Sequence, residues 1–285
     1  MLEIKAGAVL AQHGRELAYR EITGTGSPIL LIHGIGSSSI TWGDIPERLA
    51  ATGAGVLTVD LPGHGQSSKQ PGDYSLGALA SSLRDLLDHL GIARVHLVGH
   101  SLGGGVSLQF AYQFPERVQS IALVSSGGLG VEAFTGLRAA ALPGSELAIR
   151  WAINDRTLAA ATWLGRTLKR VGVAPHALSP GALETASWLA DEDRRTAFLS
   201  TSRSVVNVKG QRVSALEKLH LIDGSSVLII WGDADPMIPM THGINAHALL
   251  PGSQLVIFPG ATHEPHMHDP QRFTDLIAEH SQRNT

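Results

Sequence analysis

The chain reads as an α/β protein: a mostly parallel sheet with helices on both faces and one inserted helical segment. Three observations lead there. Short apolar, β-branched bursts alternate with stretches of helical periodicity, the pattern of parallel strands joined by covering helices. The pentapeptide Gly99-His100-Ser101-Leu102-Gly103 sits between one such burst, 94–98, and a helix-like run, 102–114. From about 128 to 213 the alternation stops, and only helical segments punctuated by Pro143, Pro175 and Pro180 remain.

The elements follow in order. Residues 2–12 and 15–22, separated by His13-Gly14, predict an opening antiparallel hairpin. Strands are expected near 28–32 and 55–60, with helices near 41–52 and 75–90. In the second helix Leu79, Leu83, Leu86, Leu87 and Leu90 recur at helical spacing and should face the sheet. Strands 94–98 and 118–124 flank the helix behind Ser101. The interrupted stretch predicts helices at 131–142, 145–153, 157–171 and 182–190, with Asp191-Glu-Asp-Arg-Arg195 as a charged helix start. Strand patterns resume at 227–231 and 254–258, and a helix over 270–280 closes the chain. The expected organisation is therefore a core of 1–127 and 214–285 with a helical cap at 128–213. Trp151, Trp163, Trp188, Leu142, Leu164 and Phe198 are the cap's large apolar groups, and some are expected to line a pocket.

Composition narrows the function. At 285 residues and 43% apolar, the chain can bury one sizeable core and an insertion. A net charge of −3 leaves no electrostatic footprint for nucleic acid. With no cysteine there are no disulfides and no thiol chemistry. No stretch reaches the roughly 18 apolar residues of a membrane span, and Met1-Leu-Glu-Ile-Lys lacks the pattern of a signal region, so a cytoplasmic location is expected. The sequence leaves oligomeric state open, a homo-oligomer included.

Ser101 is the candidate nucleophile. In a strand-turn-helix elbow the serine adopts a strained backbone conformation, and glycines two positions either side let the turn close without a Cβ clash. A serine hydroxyl needs a base to take its proton, and the base needs a carboxylate to hold its tautomer. Both are expected downstream, acid first. Val227-Leu-Ile-Ile-Trp231 runs into Gly232-Asp233-Ala234-Asp235-Pro236, and Gln254-Leu-Val-Ile-Phe258 runs into Pro259-Gly260-Ala261-Thr262-His263. Asp235 is the expected acid, with Asp233 as the fallback, and His263 is the expected base.

These motifs together resemble the α/β-hydrolase superfamily over nearly the whole chain. His33-Gly34-Ile35-Gly36 resembles its oxyanion loop, Asp60-Leu-Pro-Gly-His64-Gly-Gln-Ser67 the loop after the next strand, and Trp231-Gly-Asp-Ala-Asp-Pro-Met-Ile-Pro239 its acid loop. Gly260-Ala-Thr-His263 resembles its histidine loop. The resemblance implies a Ser101-His263-Asp235 triad, and it favours Asp235 over Asp233. The oxyanion donors are expected to be the backbone amides of Leu102, at a helix N-terminus, and Ile35, whose neighbours Gly34 and Gly36 let the loop turn inward. His33, Gly34 and His100 are candidates for substrate proximity. The loop lacks the Gly-Lys-Ser/Thr of a phosphate-binding loop.

Ester hydrolysis through an acyl-enzyme, on a small-molecule acyl substrate and without a cofactor, is the expected activity. Carbon-carbon hydrolysis of vinylogous diketones is the alternative. Relatives of that kind usually carry asparagine before the nucleophile and tryptophan after the histidine, where this chain has His100 and Glu264. A ligand-binding protein with slow or no turnover is an alternative of another class. The imidazoles of His263, His266 and His268 are not read as a metal site, since Pro265 interrupts any helical ligand spacing. His64 and Asp60 are expected to support loop structure.

Overall fold

The computed structural model describes residues 4–170 and 188–284. Strands β1 (Ile4–Gln12) and β2 (Arg15–Ile22) form the predicted antiparallel hairpin. Its turn is possible because His13 and Gly14 both take positive φ, 50° and 75°. Next come β3 (Thr25–Ile32), α1 (Ile45–Ala51), β4 (Ala54–Val59), α2 (Leu76–His89), β5 (Val95–His100), α3 (Leu102–Gln113) and β6 (Val118–Val124). The stretch between β6 and the next sheet strand contributes α4 (Thr135–Ala140), α5 (Ser145–Ala152), α6 (Asp155–Arg170), α7 (Glu192–Val205), β7 (Val206–Asn207) and β8 (Gly210–Gln211). The chain then returns through β9 (Val227–Gly232), α8 (Thr241–Leu249), β10 (Gln254–Phe258), α9 (Pro265–His268) and α10 (Pro270–Arg283).

The main sheet has eight strands in the order β1-β2-β4-β3-β5-β6-β9-β10, parallel from β4 onward. Its centre is covered on both faces, as the unbroken burial of β5 and β9 requires. Leu30 and Ile32 of β3, with Ile229 and Trp231 of β9, pack toward Leu79, Leu83, Leu86 and Leu87 of α2. Ile29, Leu31, Leu228 and Ile230 face the other way, onto Trp42, Leu49, Phe273 and Ile277. The carboxyl ends of β3, β5, β6 and β9 therefore open on one edge, where ligands bind in sheets of this kind.

Several expectations are corrected. The helix predicted over 41–52 is two pieces, a 3-10 turn Ser39–Trp42 and α1, because Gly43 takes φ 54° and Pro46 stands in the first turn of α1. The helix predicted over 131–142 shrinks to α4, since Val131 instead gives its carbonyl to the Gln211 amide at 2.8 Å. The insertion also contains a strand pair, Val206 opposite Gln211 and Asn207 opposite Gly210, too short to leave an apolar burst. The helix predicted over 182–190 lies mostly outside the described residues, of which 188–190 are helical. The charged run does start a helix: Asp191 caps α7 by accepting from the Arg194 amide at 2.9 Å. No helix among the described residues is long and apolar enough to cross a membrane.

Candidate functional site

Ser101 joins β5 to α3 with φ 54° and ψ −113°, in the left-handed region that a serine occupies only when its surroundings hold it there. Those surroundings can be named. The Ser101 amide donates to Val124 at 2.9 Å, and its carbonyl accepts from Gly104 at 3.0 Å and Gly127 at 2.9 Å. The flanking glycines are required by proximity. A Cβ on Gly99 would lie 2.3 Å from the Gly103 carbonyl oxygen, and one on Gly103 would lie 2.1 Å from the Ile32 carbonyl oxygen.

Asp235 follows β9, and its side chain is fully buried. One carboxylate oxygen accepts from the amides of Met237 and Ile238 at 2.8 and 3.0 Å. The other lies 2.8 Å from Nδ1 of His263. An ionised carboxylate only accepts, so Nδ1 carries the proton and Nε2 is left as the ring's basic nitrogen. Asp233 is used elsewhere, accepting from the Gly260 amide at 2.7 Å and so tying the two loops together. The geometry pairs Asp235 with His263 and leaves Asp233 as a loop clasp.

Ser101 and His263 line one cavity together with Ile35 and Leu102. Leu102 is the first residue of α3, where helix amides have no partner within the helix. Counting its mouth, the cavity encloses about 600 Å³ of empty space. The inserted segment supplies Phe134, Leu137, Val205, Val206 and Gln211 to its wall. The six large cap residues singled out in the sequence are not among the lining residues. Trp151 and Trp163 are 84% and 68% exposed, and Phe198 instead lies against Gly36, 3.2 Å from where a Cβ would stand. Among the described lining residues none is Lys, Arg, Asp or Glu.

His33, Gly34 and His100 lie behind the elbow and do not line this cavity. His33 Nδ1 donates to the Gly34 carbonyl at 2.7 Å, and its Nε2 accepts from the Leu61 amide at 3.0 Å, which ties the loops after β3 and β4. Gly34 packs on the elbow, a Cβ there falling 3.2 Å from that of Ser101. His100 Nε2 donates to the His263 carbonyl at 2.9 Å. Burial holds His100 well below its ordinary pKa, helped by His263 and His266, so it is a neutral support for the His263 backbone. Asp60 accepts from the amides of Ser39 and Gln66 at 2.7 and 2.8 Å, and His64 donates to Pro62 at 3.1 Å. His266 packs its ring 4.7 Å from that of Trp42. Among the described residues no cluster of metal-ligand side chains occurs.

Gln211 gave no local signal in the sequence. Its side chain accepts from the Gly128 amide at 2.6 Å and donates to the Glu132 carbonyl at 2.8 Å, which joins the outgoing and returning ends of the insertion at the cavity wall. His242 on α8 lies 2.7 Å from Glu132 and fastens the outgoing end to the core. These three contacts span 79 to 110 residues and are invisible to any window of sequence.

The alpha/beta hydrolase fold family matches residues 27–270. An uncharacterized protein of Mycobacterium tuberculosis is 44% identical over 93% of this chain and 78% of its own length. A 2-hydroxy-6-oxo-6-phenylhexa-2,4-dienoate hydrolase of Burkholderia cepacia is 30% identical over 84% of this chain and 82% of its own. The crystal structure of a hydrolase from Pseudomonas aeruginosa is 26% identical and superposes with a TM-score of 0.73 over 97% of this chain and 98% of that one. With this match over most of its length, on an eight-stranded sheet of the same architecture, the chain belongs to the alpha/beta hydrolase fold family.

Proposed function

We propose that the protein is a serine hydrolase of neutral carboxylic esters, with Ser101 as nucleophile, His263 as base and Asp235 as its orienting acid. His263 Nε2 takes the proton of Ser101 Oγ, which attacks the acyl carbon. The carbonyl oxygen becomes an oxyanion held by the amides of Ile35 and Leu102, each such donor contributing about 3 to 4 kcal/mol. Collapse breaks the bond to the alkoxide, which leaves with the proton from His263. Water, deprotonated by the same nitrogen, then releases the acid and restores Ser101. The reaction needs no cofactor, and the helical segment between β6 and β9 acts as a cap that keeps bulk water off the acyl-enzyme.

The observation that carries the ester reading is that no Lys, Arg, Asp or Glu stands among the described residues lining the cavity beside Ser101 and His263. The Burkholderia relative's named substrate is a dienoate, whose free carboxylate would enter this cavity with no Lys or Arg among the described lining residues to pair with it. An unpaired buried carboxylate costs several kcal/mol. That relative is nevertheless the reason to test carbon-carbon cleavage beside esters. Turnover of p-nitrophenyl butyrate and of the phenylhexadienoate is to be compared, with Ser101→Ala as the blank. Many cycles on the ester, reduced about 10⁴- to 10⁶-fold in Ser101→Ala, are expected. Faster dienoate cleavage would overturn the ester reading, and a single stoichiometric burst would move the protein to a binding role.

A further inference from the structure

The cavity at Ser101 has a second one behind it. This second cavity, about 310 Å³ of empty space with its mouth, lies between α3 and the returning end of the insertion. Leu76, Gly105, Gly128 and Val213 face both cavities, so these residues make up the partition. Beyond it the lining passes from Leu108 and Tyr112 to Gln109, Ser214 and Lys218. Lys218, exposed and lining only the second cavity, stands with Nζ 5.8 Å above the Tyr112 ring and so marks that cavity's solvent side.

The partition is thin because of Gly105. A Cβ there would lie 3.6 and 3.7 Å from the two terminal carbons of Leu76 and 3.7 Å from the Gly127 carbonyl oxygen, which are ordinary contact distances. This separates Gly105 from its neighbours on α3. A Cβ on Gly103 would meet the Ile32 carbonyl oxygen, and one on Gly104 the Ser126 hydroxyl, each at 2.1 Å. Packing demands glycine at those two positions and not at 105. A glycine inside a helix costs about 0.5 to 1 kcal/mol relative to alanine, so an unforced one sacrifices stability. What its missing Cβ leaves is space beside Leu76 and the Gly127 carbonyl, at the boundary of the two cavities.

We propose that the two cavities are halves of one acyl-binding passage with Gly105 at its waist. It takes a linear, unbranched, apolar acyl chain whose carbonyl lies at Ser101 and whose tail runs past Leu76 and Val213 toward Tyr112. The proposal rests on the reading of Ser101 as the acyl acceptor. Branching where the chain crosses between Gly105, Leu76 and Val213 is excluded by the waist, and the polar outer end sets the upper limit of chain length.

The test is the ratio of kcat/KM for p-nitrophenyl octanoate to that for the acetate, in the wild-type protein, Gly105→Ala and Val213→Ala, with Ser101→Ala as the blank. Gly105→Ala adds a methyl that fits, so its melting temperature is expected at or above that of the wild type. Its octanoate-to-acetate ratio is expected to fall about tenfold, the usual worth of one methylene of space in an apolar pocket. Val213→Ala widens the waist and is expected to raise the ratio. Ser101-dependent turnover with the same ratio in all three proteins would overturn the passage and leave the ester reading standing. Absence of Ser101-dependent turnover with either ester would overturn both.

Discussion

The elbow and the inserted segment are built to opposite rules. Around Ser101 the backbone is packed so closely that Cβ atoms on Gly99, Gly103 or Gly104 would fall within 2.1 to 2.3 Å of their neighbours. In the insertion, α5 buries none of its residues, and Trp151 and Trp163 stand in solvent at 84% and 68% exposure. Close packing can hold a serine at φ 54° and a carboxylate away from water. The loose packing lies off the cavity wall, since neither α5 nor Trp163 lines it. The candidate triad thus sits in the densely packed region, and the exposed parts of the insertion stand outside its cavity.

The sharpest break in that comparison lies inside the rigid half, between two carboxylates two residues apart. Asp235→Asn removes the acceptor for His263 Nδ1–H and frees the ring to take the wrong tautomer, so kcat is expected to fall about 10⁴-fold. Asp233→Asn keeps a carbonyl oxygen for the Gly260 amide and should stay near the wild-type rate. Steady-state ester kinetics on both variants decide it. Equal losses would mean that the loop clasp, and not the pairing with His263, is what the acid loop contributes.

Next in size is the packing of the elbow. Gly103→Ala sets a methyl 2.1 Å from the Ile32 carbonyl oxygen, and because that neighbour is backbone the strand or the helix must move. Overpacking of this kind is expected to cost about 3 kcal/mol, read as a lower denaturant midpoint at unchanged slope. A near-neutral result would show that α3 shifts readily and that the elbow is softer than its distances imply.

Much of the rigid half is legible in the sequence because its constraints are local. Glycines flank the serine at fixed offsets, and the acid and histidine follow strands recognisable by their own β-branched runs. Asp235 and Asp233 share one turn, and only the resemblance separated them until His263 came into contact. The insertion was legible as helical but not as a surface. The lining residues Phe134, Leu137, Val205 and Val206 are set by how the segment returns across the core, through Gln211 and Gly128. Periodicity identifies a helix's apolar stripe, yet it does not say whether that stripe meets the core, the cavity or water. The same limit explains Gly43, whose positive φ divides a pattern that otherwise reads as one helix.

A third prediction concerns histidines buried beside the core. Burial lowers the pKa of His33, pushes His64 and His266 down to about 3, and pushes His96 and His280 down to about 4. Each is neutral in the fold and gains a proton more easily when unfolded. Its contribution is therefore complete above pH 6.5 and is lost as pH falls toward its folded value. Within that window one such histidine adds about 1.4 kcal/mol per pH unit to the slope of stability. His266→Phe keeps an aromatic ring against Trp42 and Phe273 and should flatten the slope by that amount between pH 6 and 4. An unchanged slope from denaturant melts would mean that His266 is not kept neutral by its apolar surroundings.

The smallest effect is expected where the comparison began. Trp151 is the largest kind of side chain, and in a core its removal would cost about 3 to 5 kcal/mol. At 84% exposure it has few contacts to lose, so Trp151→Ala should change stability by less than about 0.5 kcal/mol and leave ester turnover unaltered. Thermal melts and kinetics at two protein concentrations test this. A loss of 2 kcal/mol or more that grows with protein concentration would show that this face is covered by a second copy of the chain. The insertion would then be rigid through assembly, and the contrast with the elbow would hold only for the isolated protomer.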